Sequence, residues 1–180
     1  MARLQSGDIA PEFVLPSIDG MNFNSSDMKG KNIILTFFRF SSCPFCNMRI
    51  NAIIKRWNEF NSDTVMVGVF DAKIKDLTKR MKHHNAPFTI VADENYDLFT
   101  KHSVEKSFLR FMIGTLSAPI TLMKATVRGY FPRTLSISKL STIPADILID
   151  KKGKVVKAHY CKNTVDHLSI DEMVAFSHGN

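Results

Sequence analysis

The sequence of 180 residues has few cysteines and no long apolar segment. Its three cysteines are too few, and odd in number, for the disulfide framework of a small secreted protein. The first residues contain no apolar run of the kind that a secretory signal requires. The longest uncharged stretch, residues 111–123, is well short of the roughly 20 residues that a membrane-spanning helix needs. We therefore expect a cytoplasmic protein without a membrane span.

Acidic residues are nearly missing from one part of the chain. Between residues 101 and 139, seven lysines and arginines accompany the single acid Glu105. Most of the formal net charge of +7 therefore belongs to this segment. Such a segment can contact an anionic membrane surface, nucleic acid or an acidic partner, or it can form a solvated lid over a neighbouring site. We favour the lid, and we expect no nucleic-acid partner.

The rest of the chain alternates short apolar runs with amphipathic segments. Buried strands are predicted at 33–38, 65–70 and 88–92, each followed by a helix. Hairpins are predicted at 12–24 and 147–160, where turn residues separate extended runs. This order indicates one α/β domain over residues 1–180, with a parallel core and a closing antiparallel hairpin. Residues 103–141 predict a basic helical insertion of one or two helices, interrupted near Gly114 and Pro119.

Cys43 and Cys46 stand where a predicted strand meets a predicted helix. Pro44 suits the first helical position, which places Cys43 at the N-cap, near free backbone N–H groups and the positive end of the helix dipole. A thiol there should have a pKa below about 8.5 and so form more of the nucleophilic thiolate. Cys46 lies near the apolar stripe of the helix. We expect an exposed Cys43 to attack and a shielded Cys46 to resolve the product as a disulfide; the alternative is two buried cysteines without a redox role.

Two further residues are assigned to the candidate site. Pro144 precedes a buried strand and predicts a cis bond after Ile143 that faces the dithiol, with a trans proline opening an edge strand as the alternative. Arg39, four residues before Cys43, can hold a thiolate or a peroxide oxygen, or can face solvent. Cys161 is interpreted as a bystander, and we assign no metal, because zinc would need a second ligand pair beside the dithiol.

Several segments together resemble a known family. They are residues 7–13, the run from Phe37 to Cys46, and Ile143 to Asp150. They are similar to the alkyl hydroperoxide reductase and thiol-specific antioxidant (AhpC/TSA) family, the peroxiredoxins, and especially to its peroxiredoxin-like branch. The resemblance implies a thioredoxin-like fold, peroxide reduction without metal or organic cofactor, resetting by a thioredoxin- or glutaredoxin-type reductant, and a homodimer as one possible assembly. Phe40 and Thr36 depart from the family, which typically has Thr or Ser and Pro there.

Three functions remain open at the level of sequence. The leading hypothesis is a thiol peroxidase that uses Cys43 and Cys46. The second is a thiol–disulfide oxidoreductase acting on protein disulfides with the same two residues. Phe40 favours this second hypothesis, because it supplies no hydroxyl to a peroxide. The third is a redox-sensing binding module that uses the basic insertion.

Overall fold

The computed structural model describes residues 2–134 and 136–179, and a five-stranded mixed sheet lies at its centre. The strands are β1 (Val14–Pro16), β2 (Asn22–Asn24), β3 (Asn32–Phe37), β4 (Thr64–Phe70), β5 (Thr89–Ala92), β6 (Ala145–Ile149) and β7 (Val155–Tyr160). β1 and β2 form the predicted N-terminal hairpin. The central sheet has the order β5-β4-β3-β6-β7, with β3, β4 and β5 parallel and β6 antiparallel to both neighbours. The predicted mixed α/β architecture is confirmed.

Helices follow the parallel strands and also make up the predicted insertion. They are α1 (Pro44–Lys55), α2 (Ile74–Met81), α3 (Asp97–Lys101), α4 (Phe108–Ser117), α5 (Pro119–Val127), α6 (Ile137–Ser141) and α7 (Ile170–Ser177). The first helix ends at Lys55, and a separate 3₁₀ turn covers Trp57–Glu59. No helix in the described part of the chain is long and apolar enough to cross a membrane.

Each face of the sheet carries its own apolar core. Alternate strand residues point to opposite faces, so Ile34 and Leu148 pack with α1, α2 and α7, whereas Leu35 and Ile147 pack with α3 and the N-terminal hairpin. The continuous apolar runs noted in the sequence are thus strands covered on both sides. This double cover holds the carboxyl end of β3 in place, and the candidate dithiol follows it directly.

The insertion differs in detail from the prediction. Gly114 does not interrupt a helix; it is buried inside α4, where a Cβ atom would lie 2.3 Å from the hydroxyl oxygen of Thr164. The break comes at Ala118, and Pro119 then opens α5 at the first turn, where its missing N–H leaves no bond unmade. Gly114 allows α4 to approach Thr164 closely. The sequence alone does not distinguish such a glycine from one that interrupts a helix.

The predicted cis bond before Pro144 is wrong. The described residues contain no cis peptide bond. The turn into β6 is instead fixed by backbone hydrogen bonds: the N–H of Ile143 donates to Glu105 at 2.9 Å, and the carbonyl of Pro144 accepts from Cys161 at 3.1 Å. An X–Pro peptide bond is trans unless its surroundings impose the cis isomer. Here the two backbone hydrogen bonds of the turn form while the Ile143–Pro144 peptide bond is trans.

Candidate active site

Cys43 is the N-cap residue of α1, as the sequence predicts. Its backbone is extended (φ −66°, ψ 120°), Pro44 follows in the first turn, and its sulfur accepts from the backbone N–H of Cys46 at 3.4 Å. The first turn of a helix leaves such N–H groups without intrahelical partners, and the helix dipole favours negative charge there. The strand–helix junction therefore places a sulfur where a thiolate is stabilised.

Arg39 contacts this sulfur from the end of the strand. Its Nη1 donates to the Cys43 sulfur at 3.4 Å, its Nε donates to the carbonyl of Thr142 at 3.0 Å, and its Nη2 donates to the carbonyl of Leu140. The rings of Phe40 and Phe111 lie at 5.2 Å and 4.8 Å from the guanidinium carbon. The side chain is 1% exposed, so the solvent-facing alternative is wrong. A buried cation needs a counter-charge, and among these partners only the sulfur can carry one.

The two thiols have pKa values displaced in opposite directions. Burial raises the pKa of Cys43, but the hydrogen bond from the Cys46 thiol, the charge of Arg39 and the amides of Cys46 and Phe45 outweigh it and lower the pKa from 9.0 to about 6. Burial, and then the hydrogen bond to Cys43, raise the pKa of Cys46 well above its ordinary value. At neutral pH the pair thus holds a thiolate at Cys43 and a thiol at Cys46.

Both cysteines are buried, so the prediction of an exposed Cys43 is wrong. Cys43 is 0% exposed and Cys46 is 1% exposed. The cover comes from the insertion, because Ala118 and Leu122 pack against the apolar cluster that includes both cysteines. Helix register correctly separated the two sulfurs, but it carries no information about a segment far along the chain that folds over the helix tip.

Asn47 and His84 were missed at the sequence level, although both lie against the dithiol turn. The Asn47 amide donates to the carbonyls of Cys43 at 2.7 Å and Ser41 at 3.2 Å, while its oxygen lies 2.6 Å from Nε2 of His84. Since both amide hydrogens point to carbonyls, the Asn47 oxygen is an acceptor and Nε2 of His84 carries the proton. The spacing of Asn47, one helical turn after Cys43, was the available signal.

Cys161 is a third buried thiol with separate neighbours. Ligand-type atoms of Cys161, Asp146 and His167 lie within 4.8 Å of one another. Burial and the charge of Asp146 raise the pKa of Cys161, which keeps it protonated. Charge interactions also link Arg49 to Asp146 and Cys161, so a divalent cation would meet a positive charge already in place. Nε2 of His159, two residues before Cys161, lies 2.6 Å from the carbonyl oxygen of Asp166.

Comparison with known proteins places these features in a family. Peroxiredoxin Bcp of Escherichia coli (strain K12) is 29% identical over 112 residues, which are 61% of this chain and 72% of that protein. The crystal structure of peroxidoxin BcpB from Mycobacterium tuberculosis superposes with a TM-score of 0.71 at 15% identity, covering 98% of both chains. A putative thiol:disulfide interchange protein DsbE from Chlorobium tepidum superposes with a TM-score of 0.60 at 23% identity, covering 97% of this chain and 96% of that one. The family model of AhpC/TSA matches residues 6–158, and the chain belongs to the AhpC/TSA family.

Proposed function

We propose that this protein is a thiol peroxidase in which Cys43 is the nucleophile and Cys46 the resolving thiol. The observation that carries the proposal is the contact between Arg39 and the Cys43 sulfur at 3.4 Å in a buried site. A guanidinium in that position stabilises the thiolate before reaction and is available to the oxygen that departs during it. Membership of the AhpC/TSA family, and similarity to a protein named peroxiredoxin, support the same activity.

The dithiol supplies the two electrons that reduce the peroxide, and it ends as a disulfide. The Cys43 thiolate attacks one peroxide oxygen, the O–O bond breaks, and the second oxygen leaves with the electron pair and takes up a proton as water or alcohol. Cys43 is then a sulfenic acid. The Cys46 thiol attacks it, an S–S bond forms, and a second water leaves. An external dithiol of the thioredoxin or glutaredoxin type returns the pair to the reduced state, and this chemistry needs no metal or organic cofactor.

The departing oxygen needs hydrogen-bond donors, and this chain places them differently from the usual family pattern. Phe40 occupies the position at which the family typically has the hydroxyl of a Thr or Ser. The hydroxyl oxygen of Ser42, two residues further along, accepts from the backbone N–H of Arg133 at 3.0 Å. We assign the donor role to Arg39 together with the amides at the first turn of α1. Pro144 is assigned no catalytic contact, because Thr142 supplies the carbonyl that holds Arg39.

The second candidate is a thiol–disulfide oxidoreductase, favoured by the C-x-x-C arrangement at a helix N-terminus and by the structural likeness to a putative DsbE. A protein disulfide must bring a sulfur and its backbone up to Cys43. Cys43 is fully buried, and a small peroxide needs much less room. Access therefore favours the peroxidase.

The experiment compares two substrates for the fully reduced protein. Hydrogen peroxide should oxidise the dithiol much faster than it oxidises a free thiol of the same pKa, and reduction of insulin disulfides should be slow. Arg39→Met should slow the peroxide reaction by at least about tenfold, whereas Arg56→Met, at a surface ion pair with Glu59, should not. Slow oxidation by peroxide with fast insulin reduction would establish the second candidate instead. A cytoplasmic location and a homodimer are part of the proposal, and sedimentation measures the latter.

A further inference from the structure

The insertion exposes an unusual number of large apolar side chains. Ten of the fifteen large hydrophobic residues exposed in the described part of the chain belong to it. Eight of these lie on α4 and α5: Phe108, Leu109, Met112, Ile113, Leu116, Ile120, Met123 and Val127. Scattered exposed apolar residues are ordinary, but a contiguous set marks a contact surface. We call these eight residues the apolar face.

The apolar face lies on one side of each helix, and the opposite side of each helix packs against the rest of the protein. Leu116 is 74% exposed and Val127 is 84% exposed, whereas Gly114 and Ala125 on the same two helices are buried. Positions 108, 109, 112, 113 and 116 of α4, and positions 120, 123 and 127 of α5, each lie on one side of their helix. One side of α5 therefore faces the apolar cluster of the dithiol and one side of α4 faces Thr164, while both helices present large apolar side chains to solvent on the other side.

Positive charge surrounds the apolar face, and the insertion holds one acidic residue, Glu105, which pairs with Arg110. Residues 106–145 contain six lysines and arginines and no aspartate or glutamate. Arg128 and Arg133 also line a cavity of about 480 Å³, together with Lys79 and Arg80 from α2, where Asp76 is the one acidic side chain in the lining. None of these four cations forms an ion pair within the described residues. A concave basic site next to an apolar face matches the two parts of a phospholipid.

We propose that α4 and α5 dock the protein on an anionic phospholipid surface, with the apolar face in the interface and Arg128 and Arg133 on headgroup phosphates. Charge decides between this occupant and the alternatives. A second copy would place one basic segment against another, and nucleic acid offers nothing to the apolar side chains. Anionic lipid satisfies both features, because apolar burial and attraction to phosphate add. This interaction goes beyond the peroxidase activity and is independent of it, since neither cysteine takes part.

The experiment measures sedimentation of the reduced protein with vesicles in the absence of peroxide. Vesicles of phosphatidylcholine alone are compared with vesicles that also contain phosphatidylglycerol. Leu116→Glu introduces a charge on the apolar face, and Ile9→Glu, 64% exposed elsewhere, is its matched control. Arg128→Gln removes one cation from the cavity lining, and Lys152→Gln removes an exposed cation from the β6–β7 turn. All four positions are exposed, so circular dichroism should show folded protein.

We expect binding to the anionic vesicles that added salt weakens. Leu116→Glu should lower the partition coefficient at least about tenfold, and Arg128→Gln should lower it about fivefold. Both controls should match the wild type. The proposal fails if the anionic vesicles are not bound, if the controls lose as much binding as the test variants, or if Leu116→Glu only dissociates a dimer that ignores vesicles. None of these outcomes depends on peroxide turnover, so the proposed function stands or falls separately.

Discussion

Arg39 shows how little of a residue's role is visible in its sequence position. The chain order places it four residues before Cys43, and the sequence supports a contact with sulfur and a solvent-facing side chain equally. The structure shows that the side chain of Arg39 is held beside the sulfur by the carbonyls of Thr142 and Leu140. These two residues lie about one hundred positions further along the chain, so the local sequence does not reveal the contact. The Cys43 role was easier to predict, because its helix, its proline and its N-cap position are all local. Local signals predicted the N-cap position of Cys43, and a distant segment holds the cation beside it.

The acidity of Cys43 should depend measurably on Arg39. The rate of alkylation of the Cys46→Ser, Cys161→Ser protein should rise with pH around a midpoint clearly below 8.5, and removing the guanidinium by Arg39→Met should raise that midpoint by about one unit or more. Arg56→Met should leave it unchanged. An unchanged midpoint in Arg39→Met would show that the charge of Arg39 does not stabilise the thiolate.

The lowered pKa of Cys43 should also make the free energy of unfolding of the reduced protein depend on pH. The folded-state pKa of Cys43 is lowered from 9.0 to about 6, so the unfolded state binds more protons between these values. Unfolding then becomes harder as pH rises through this window, and the gain is lost as pH falls through about 6. Urea unfolding should therefore show the stability difference between the wild type and Cys43→Ser growing from pH 6 to pH 9. A difference that is flat with pH would contradict the lowered pKa.

At the scale of elements, strands and helix starts were predictable, and helix ends and breaks were not. The apolar runs of β3, β4 and β5 specify buried strands through composition alone. Gly114 was read as a helix break, since glycine lowers helix stability in general. Its actual constraint is contact with Thr164, which belongs to the loop before α7 and leaves no trace in the local pattern.

Gly114→Ala should test that contact through the sign of its effect. Alanine normally stabilises the interior of a helix relative to glycine by about 0.5–1 kcal/mol. Here the added Cβ would lie 2.3 Å from the Thr164 hydroxyl and 2.7 Å from its backbone nitrogen, so we expect a destabilisation of about 1–3 kcal/mol in urea unfolding. Thr126→Ala on the exposed surface of α5 should change stability by less than about 0.5 kcal/mol. A stabilised Gly114→Ala protein would show that α4 does not approach Thr164 this closely.

At the scale of the whole molecule, the sequence predicted the mixed sheet and the position of the insertion but not what the insertion does to the site. Burial of Cys43 arises because Ala118 and Leu122, at the start of α5, pack against the cluster that contains it, a contact between segments about seventy residues apart. The trans bond at Pro144 has a similar cause, since its turn is fixed by Glu105 and Cys161. Periodicity describes one element at a time, and these features belong to pairs of elements.

The central claim is that a peroxide oxygen is transferred to Cys43 and removed by Cys46. Mass spectrometry of the reduced protein after a single addition of hydrogen peroxide tests it most directly. The wild type should consume one peroxide per dithiol within seconds and lose two hydrogens, and Cys161→Ser should behave identically. Cys46→Ser should stop with one added oxygen on Cys43, which a sulfenic-acid reagent traps. A wild type that is unchanged over this time, or an oxygen found on Cys161, would contradict the account.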